Sequence, residues 1–600
     1  MKFPYGISDF RKLITEDYFY VDRTGCIPRI EDAGAQLLFL RPRRFGKSLL
    51  LSMLENYYDL AKADEFDRLF GRLAVGSNPT PKRNQYFVMK WDFSAVSPQG
   101  DIAEIRHAIH NHINAQVEIF ASRYQPWLKR PVKVDANDAV YSFQSLLGAV
   151  QLSDHRLYLL IDEYDNFANE LLMSGQPQGK SRYTALLYGE GTLKTLFKTV
   201  KAGAAGWGLD RAFITGVAPI VLSDVSSGYN VAENIYLEPE FHGLCGFTEA
   251  EISRALAEVV AGCGQPASEA EEALTQMRLY YNGYRFTDAP ADLIYNPTLA
   301  LYFLKHYQGK CQAPANMLDD NLAMDRGKLG YVAGLPRGAE VIVSALEDKA
   351  DLSVPVLAGR FGVEDVMTLQ KDTTFMASLL YYFGVLTLAG RGALGKLLLR
   401  IPNLVIRGLY VERLRALLLP DAEDQRAGRL AAETFYQSGD LQPLCDFLEQ
   451  RYFKVFSNRD YMQANELTIK TAFLTLLFND LLYIMDSETT VGRRHADLTL
   501  IARPDARQYQ IFDLLLEFKF VKLDDRKLSG ERVRGMSRAE VAALPAVEQK
   551  LAEARAQAPA YRAELEARYR AGSWPALRLR VFAVVAVGFE RVIWEEIEPE

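Results

Sequence analysis

An α/β chain in three parts is what this sequence predicts, and three observations carry the prediction. Continuous apolar runs alternate with helical segments through residues 1–288, as strands buried on both faces and joined by helical crossovers require. A proline-broken helical stretch with one helix–strand–turn–strand passage occupies residues 289–457. From residue 458 to residue 600 the order becomes helix, strand, turn, strand, helix, strand. A chain of 600 residues is too long for one core, so three domains with these bounds are expected.

The elements follow in order. Residues 36–40 form a short apolar strand, followed by a glycine and an apolar-periodic helix over 49–58. Residues 86–93 read as a second strand and 103–120 as an amphipathic helix. The run at 157–161 is a strand buried on both faces, and 212–214 is another, ending at Thr215-Gly216. Strands separated by helices imply a parallel sheet covered by helices. In the middle part, Pro290, Pro297, Pro314, Pro336 and Pro355 interrupt short helices. Residues 375–388 lead into a glycine-containing turn at 390–395 and an apolar run at 397–401, an order that suits a winged-helix-like module; 411–450 is helical again. The last part reads as a helix at 466–478, strands at 495–501 and 510–520 around a turn at 503–507, a helix-rich stretch, and a strand at 579–587.

Composition narrows the function classes. A hydrophobic share of 49% with 24% charged residues is that of a globular protein. A net charge of -7 argues against coating nucleic acid through bulk charge, while leaving room for a local basic groove. Cys26, Cys245, Cys263, Cys311 and Cys445 lie far apart with no CxxC pair, poor material for a zinc site or a disulfide framework, and suited to a reducing cytoplasm. The first ten residues lack the apolar segment of a signal peptide, and the apolar stretches near 379–388 and 581–589 are too short to span a bilayer. A cytoplasmic protein with no membrane contact is the expectation.

Between the strand at 36–40 and the following helix stand Arg41, Pro42, Arg43, Arg44, Phe45, Gly46, Lys47 and Ser48. A Gly-Lys-Ser at a strand-to-helix junction is where backbone N–H groups wrap phosphates. Lys47 would neutralise phosphate charge and the Ser48 hydroxyl would hold Mg²⁺. Arg41 occupies the place of the first glycine in the usual P-loop pattern. Asp162 and Glu163 close the apolar strand at 157–161. In that setting Asp162 would support Mg²⁺ and Glu163 would polarise the attacking water. Thr215 is a candidate γ-phosphate sensor, or simply the turn residue before Gly216.

These strings resemble the bacterial AAA-ATPase-like family. The resemblance rests on Phe3-Pro4-Tyr5-Gly6, Tyr20-Val21-Asp22-Arg23-Thr24, the run from Arg41 to Ser48, Ile161-Asp162-Glu163-Tyr164-Asp165, Ile214-Thr215-Gly216-Val217, Phe247-Thr248 and Tyr281-Asn282-Gly283-Tyr284. It covers about the first half of the chain. It implies an N-terminal P-loop NTPase domain with ATP as the nucleotide, and the family's usual loop form accounts for the missing glycine. Arg43 and Arg44 are either charge-stabilising groups beside the phosphates or loop surface, and the segment 20–24 would approach the base. The family is usually fused to a C-terminal α/β domain of the PD-(D/E)XK nuclease superfamily.

The C-terminal part has matching residues. Asp497 ends the string Arg494-His495-Ala496-Asp497, and Glu517-Phe518-Lys519 closes the next strand. Period-two alternation puts Glu517 and Lys519 on one face, and antiparallel pairing would bring Asp497 beside them. Two carboxylates holding Mg²⁺ or Mn²⁺, with a lysine orienting water, are the parts of metal-assisted phosphodiester hydrolysis; Glu466 would be a further ligand. The same pattern also occurs in ordinary charged hairpins, and His495-Ala496 stand where the superfamily's name motif has proline. Gln549 and Tyr561 are similar to family positions. Arg493, Arg494, Lys519, Lys522, Arg526, Lys527, Arg532 and Arg534 suit a phosphate backbone or a solvated face about equally. His107, His110 and His112 do not share one helix face and read as the polar side of an amphipathic helix.

The expectation is therefore an ATP-binding and hydrolysing enzyme coupled to a metal-dependent nuclease acting on DNA or RNA, in genome defence or mobile-element control. The alternative is a nucleotide-dependent signalling or assembly switch whose nuclease-like domain only binds a partner. A homo-oligomer is compatible with either.

Overall fold

The computed structural model describes residues 1–97, 99–166, 191–220, 231–318, 326–333, 335, 338–346, 352–359, 372–455, 465–486, 489–491, 494–523, 528–570 and 576–598. Strands β1 (Gln36–Leu40), β2 (Tyr86–Asp92), β3 (Arg156–Asp162), β4 (Leu209–Gly216) and β5 (Glu233–Asn234) form one wholly parallel sheet in the order β2-β3-β4-β1-β5. Every residue of β1 is buried, as is β3 after Arg156. Neighbouring side chains of a strand point to opposite faces, so both faces must be covered. The helices Lys47–Tyr58, Ile102–Arg123, Ala139–Gln151 and Thr192–Ala204 supply that cover. Inserting β4 between β1 and β3 brings the loop after β1 and the acids after β3 to one end of the sheet, with Thr215 between them. The two-residue, exposed β5 has no sequence signature and was not expected.

Three further helices, Glu249–Gly262, Ala267–Tyr281 and Pro297–Lys310, pack around their own apolar core that includes Ile252, Leu256, Met277, Tyr281 and Leu304. Thr248 and Glu251 form a reciprocal cap at the first helix, and Asn296 caps the third ahead of Pro297. The chain leaves the third helix through Cys311 in the left-handed region at φ 53°. This turn corrects the cysteine expectation: Cys263 and Cys311 are joined in a disulfide with their Cα atoms 5.6 Å apart. Their separation of 48 residues along the chain hides a meeting made by two helix ends.

The middle part contains β6 (Leu352–Val354), β7 (Thr387–Arg391) and β8 (Leu397–Arg400) in an antiparallel sheet of order β6-β8-β7. With the helices Arg326–Ala333, Gly338–Leu346 and Thr373–Tyr382 this is the winged-helix-like arrangement. The helices Leu404–Leu418, Ala422–Ser438 and Gln442–Gln450 follow.

The C-terminal sheet is mixed. Its order is β15 (Arg591–Ile597), β14 (Leu579–Val587), β13 (Asp513–Val521), β12 (Leu498–Ala502), β9 (Tyr483–Asp486), with only β13 and β14 parallel. The single strand expected over 495–501 is broken at Asp497. Before it, β11 (Arg494–Ala496) pairs with β10 (Thr489–Val491); after it, β12 pairs with β13 and β9. The Asp497 carboxylate accepts the Phe518 N–H at 2.9 Å, so a side chain satisfies the backbone where the chain changes partners. Edge strands β9 and β15 were not expected. Buried Arg503 ties this sheet to the segment after the three-helix unit, donating to the carbonyls of Pro314, Ala315 and Asp480 at 2.7–2.9 Å. Among the described residues, no helix is long and apolar enough to cross a membrane.

Candidate functional site

Strand β1 delivers the chain to a loop in which Arg44 and Gly46 both take left-handed backbone angles, φ 66° and 95°. Gly46 immediately precedes the helix Lys47–Tyr58 and has no side-chain cap, so the first N–H groups of that helix remain open to a ligand. Phe45 anchors the loop from below, its ring edge-on to Tyr284 and Phe286 at 4.9 and 5.2 Å. From the three-helix unit, the Thr298 hydroxyl donates to the Arg44 carbonyl at 3.1 Å.

Arg41 turns away from the helix N-terminus. Its guanidinium donates to the carbonyls of Leu40, Tyr236 and Phe241 at 2.8–2.9 Å and lies between the rings of Phe39 and Phe286. The side chain is thus an internal strut; motif position alone cannot say which way a residue points. Pro42 is buried against the turn at Gly384, Arg43 donates to Asn166, and Ser48 is half-buried at the helix start. Lys47 is buried and donates to the Arg41 and Pro42 carbonyls at 3.0 and 3.1 Å. Burial pulls its pKa below the ordinary lysine value, while Glu163, Asp162 and Asp165 hold it up against that pull.

At the end of β3, one strand further across the sheet than β4, Asp162 is buried and accepts the Thr215 hydroxyl at 2.7 Å, with the Lys90 ammonium 3.7 Å from its other oxygen. Glu163 follows with φ 48°, half-buried; burial raises its pKa, opposed by Lys47 and Arg43. Asp165 stands in the string that carries the family resemblance but has no role assigned there. It is fully buried and accepts the N–H groups of Val217 and Ala218 at 2.7–3.1 Å, locking the end of β3 to the end of β4. Its only signal was a third acid in the string after β3. A Cβ on Gly216 would meet the Tyr164 ring at 2.4 Å, so the chain passes there only as glycine.

Beside the loop opens a cavity of about 290 Å³. Tyr5, Phe19, Tyr20, Phe247 and Leu301 contribute its largely apolar walls, and Lys47, Ser48 and Glu163 line it as well. Within the segment 20–24, Tyr20, Val21 and Arg23 reach the cavity, while Asp22 and Thr24 bond each other at 2.7 Å outside it. Arg23 latches two walls together through Glu251 at 2.6 Å and the Gly246 carbonyl at 2.8 Å.

The C-terminal carboxylates also come together. Asp497 lies one step beyond the Leu498↔Leu516 pair and so faces Glu517 across the ladder. Lys519 donates to Glu517 at 2.8 Å and to the Phe518 carbonyl at 2.9 Å, on the shared face that strand alternation requires. Asp497, Glu517 and Lys519 are all buried. Burial, then the Asp497 charge, pushes the Glu517 pKa up to about 7, against the pull of Lys519; Glu466 on the helix Glu466–Leu477 adds to the rise. Among the described residues Glu517 Oε2 is buried with no hydrogen-bond partner. Equally, no trio of His, Cys, Asp or Glu side chains among them is gathered closely enough to hold a metal ion, so a cation here would depend on one or two carboxylates and water. Gln549 is exposed and donates to Glu553, and Tyr561 is core. Lys522 and Arg532 are exposed and Arg534 pairs with Glu590, whereas Arg493, Arg526, Lys527 and the Arg494 side chain lie outside the described residues.

Comparison with known proteins adds to this geometry. The chain is 25% identical over 433 residues to a protein of Azotobacter chroococcum mcd 1 named "Uncharacterized protein in vnfD 5'region", covering 70% of this chain and 71% of that one. Among solved structures, similarity extends to the Aeropyrum pernix ORC1 protein in complex with DNA (13% identity, 68% of this chain and 98% of that one, TM-score 0.25). The Aeropyrum pernix ORC2 protein in ADPNP–ADP complexes has 13% identity, the same coverages and a TM-score of 0.29. Cdc6p from Pyrobaculum aerophilum has 11% identity, coverages of 67% and 98%, and a TM-score of 0.23. Residues 4–226 match the family model AAA-ATPase_like, described as "Predicted AAA-ATPase". That segment, similar to the predicted AAA-ATPases, holds strands β1 to β4 of the parallel sheet, the loop before Lys47 and the acids after β3.

Proposed function

We propose that the chain hydrolyses ATP at the end of its parallel sheet and that nucleotide state governs a metal-dependent phosphodiesterase site in its C-terminal part, acting on DNA or RNA. One observation carries the first half: a single cavity joins aromatic and apolar walls to Lys47, Ser48 and Glu163. A purine base is flat with apolar faces and fits the walls; the triphosphate then lies over the N–H groups of the helix that begins at Lys47. Lys47 exchanges its two loop carbonyls for phosphate oxygens. Ser48 and Asp162 would hold Mg²⁺, which when bound neutralises charge between the phosphates. Glu163, its basicity raised by burial, accepts the proton of the attacking water. The Thr215 hydroxyl is already engaged with Asp162, which favours a positioning role over direct contact with phosphate.

For the second half, the support is the partnerless Glu517 oxygen beside Asp497, an acceptor that a divalent cation would satisfy. Asp497 and Glu517 would hold Mg²⁺ or Mn²⁺, Glu466 adding negative charge nearby without completing a ligand trio, and Lys519 would orient water toward a phosphodiester. Coupling has a physical route, because Pro42 of the phosphate loop packs directly on Gly384 of the winged-helix-like module.

Two measurements test the reading. Glu163→Gln should bind ATP with little change while Mg²⁺-dependent turnover falls at least about 100-fold, the scale of a lost general base; wild-type turnover in this variant would sink the assignment. Lys519→Ala should abolish cutting of DNA and RNA while leaving ATP turnover intact. If the wild-type chain cuts neither nucleic acid under Mg²⁺ or Mn²⁺, the nuclease half falls. An ATP-dependent change in oligomeric state would then point to the switch.

A further inference from the structure

Strand β2 stands at the edge of the parallel sheet, where a lysine ordinarily points into water and keeps other chains away. Lys90 does something else. Its side chain is 29% exposed, and its ammonium lies 3.7 Å from an oxygen of Asp162 on the next strand. The strand register explains the reach. Lys90 sits opposite Leu160, and Leu160 opposite Phe213. Two residues further along, Asp162 follows Leu160 and Thr215 follows Phe213 on the same face of the sheet. The lysine stem runs along the strand toward the end of the sheet where the acids gather.

Asp162 needs such a partner. It is 1% exposed, and a buried carboxylate is costly unless its oxygens are answered. One oxygen accepts the Thr215 hydroxyl at 2.7 Å, and the other faces Lys90. The loop lysine does not fill this place, because Lys47 donates to the Arg41 and Pro42 carbonyls. Nor does the other acid of β2 draw Lys90 away: Asp92 accepts the Ser94 N–H and hydroxyl at 3.0 and 2.6 Å. Among the described residues, the ion pair of Asp162 is with Lys90.

We propose that Lys90 is a positioning residue for the nucleotide site: it is the counter-ion of Asp162 in the metal-free chain, and it gives up that oxygen when nucleotide enters with Mg²⁺. The inference deepens the ATP reading above and rests on it. Two cations beside one carboxylate oxygen repel each other strongly at about 4 Å, so Lys90 must leave before a metal ion settles there. Its long stem and partial exposure give it a way out to water. Lys90 thus keeps Asp162 oriented in the empty site, and it sets the Mg²⁺ concentration at which nucleotide binds.

The test titrates Mg²⁺, from chelator upward, into the full chain with a fluorescent ATP analogue, and follows both binding and urea unfolding. In Lys90→Met the Mg²⁺ concentration that gives half-maximal binding should fall roughly fivefold, the scale of one lost ion pair near a surface. In chelator the same variant should unfold at a lower urea midpoint than wild type, because Asp162 is left buried without its cation. Lys90→Arg, which keeps the charge, should stay near wild type in both measurements. An unchanged Mg²⁺ requirement in Lys90→Met overturns the proposal even where stability falls, since a purely structural pair predicts that result. A raised requirement overturns it as well, because Lys90 would then help to hold the ion. Failure of the wild type to bind the analogue at any Mg²⁺ concentration would instead refute the ATP reading, and this inference with it.

Discussion

The contact between Pro42 and Gly384 makes a quantitative prediction about how the phosphate loop is held. Gly384 has φ 78°, and a Cβ added to it would lie 2.6 and 2.7 Å from the Cβ and Cγ of Pro42. That is roughly 1 Å inside the ~3.5 Å at which carbon atoms touch. A proline ring cannot rotate away, so either the loop or the α-to-β turn must yield. Gly384→Ala should therefore carry a backbone cost of about 1–2 kcal/mol and an overpacking cost of about 1–3 kcal/mol. Displacement of the loop should weaken ATP about tenfold, the equivalent of about 1.4 kcal/mol. Gly395→Ala is the matched control: its φ is 72° and nothing lies within 4 Å of its Cβ, so it carries the backbone cost alone. Both variants are followed by denaturant unfolding and by titration with a fluorescent ATP analogue. If the two variants bind nucleotide equally well, the loop is not braced by this turn, and the proposed coupling between nucleotide and middle module loses its route.

Other consequences follow from the same geometry. Thr215→Val removes the donor to Asp162 and should cost about 1–3 kcal/mol of stability, lowering kcat for ATP more than it changes KM. Arg23→Ala opens the latch between two cavity walls and should raise KM for ATP while kcat at saturation holds; steady-state kinetics separate the two. For Glu517 the sign is set by its raised pKa. Between pH 4.5 and about 7 the folded chain keeps a proton that the unfolded chain has released, so stability falls as pH rises through that window. Glu517→Gln, measured by urea unfolding in chelator, should grow progressively more stable than wild type across the same window and level off above it. Parallel pH curves for the two proteins would refute the assigned environment.

Much of the nucleotide end was legible in the residues. Gly46-Lys47-Ser48 at a strand-to-helix junction and Asp162-Glu163 after an apolar strand are local signals, and they end up at the same end of the sheet, on strands separated by β4. The pairing of Glu517 with Lys519 was legible too, since alternation along a strand is a property of the chain itself. Arg41 shows the limit. Its place in the loop was clear, but its guanidinium answers carbonyls about 195–201 residues away, and no local pattern reports that.

What the sequence by itself determined was therefore whatever depends on near neighbours along the chain: the buried strands, the loop that opens a helix N-terminus, the acids at strand ends and the turn of the wing. The tertiary structure alone decided the strand order that sets Thr215 beside Asp162, the Arg23–Glu251 latch, the Cys263–Cys311 bond and the burial of the helix Thr373–Tyr382. The reason is physical: periodicity and backbone hydrogen bonding act over a few residues, whereas partner choice is settled by packing between surfaces that meet only after folding.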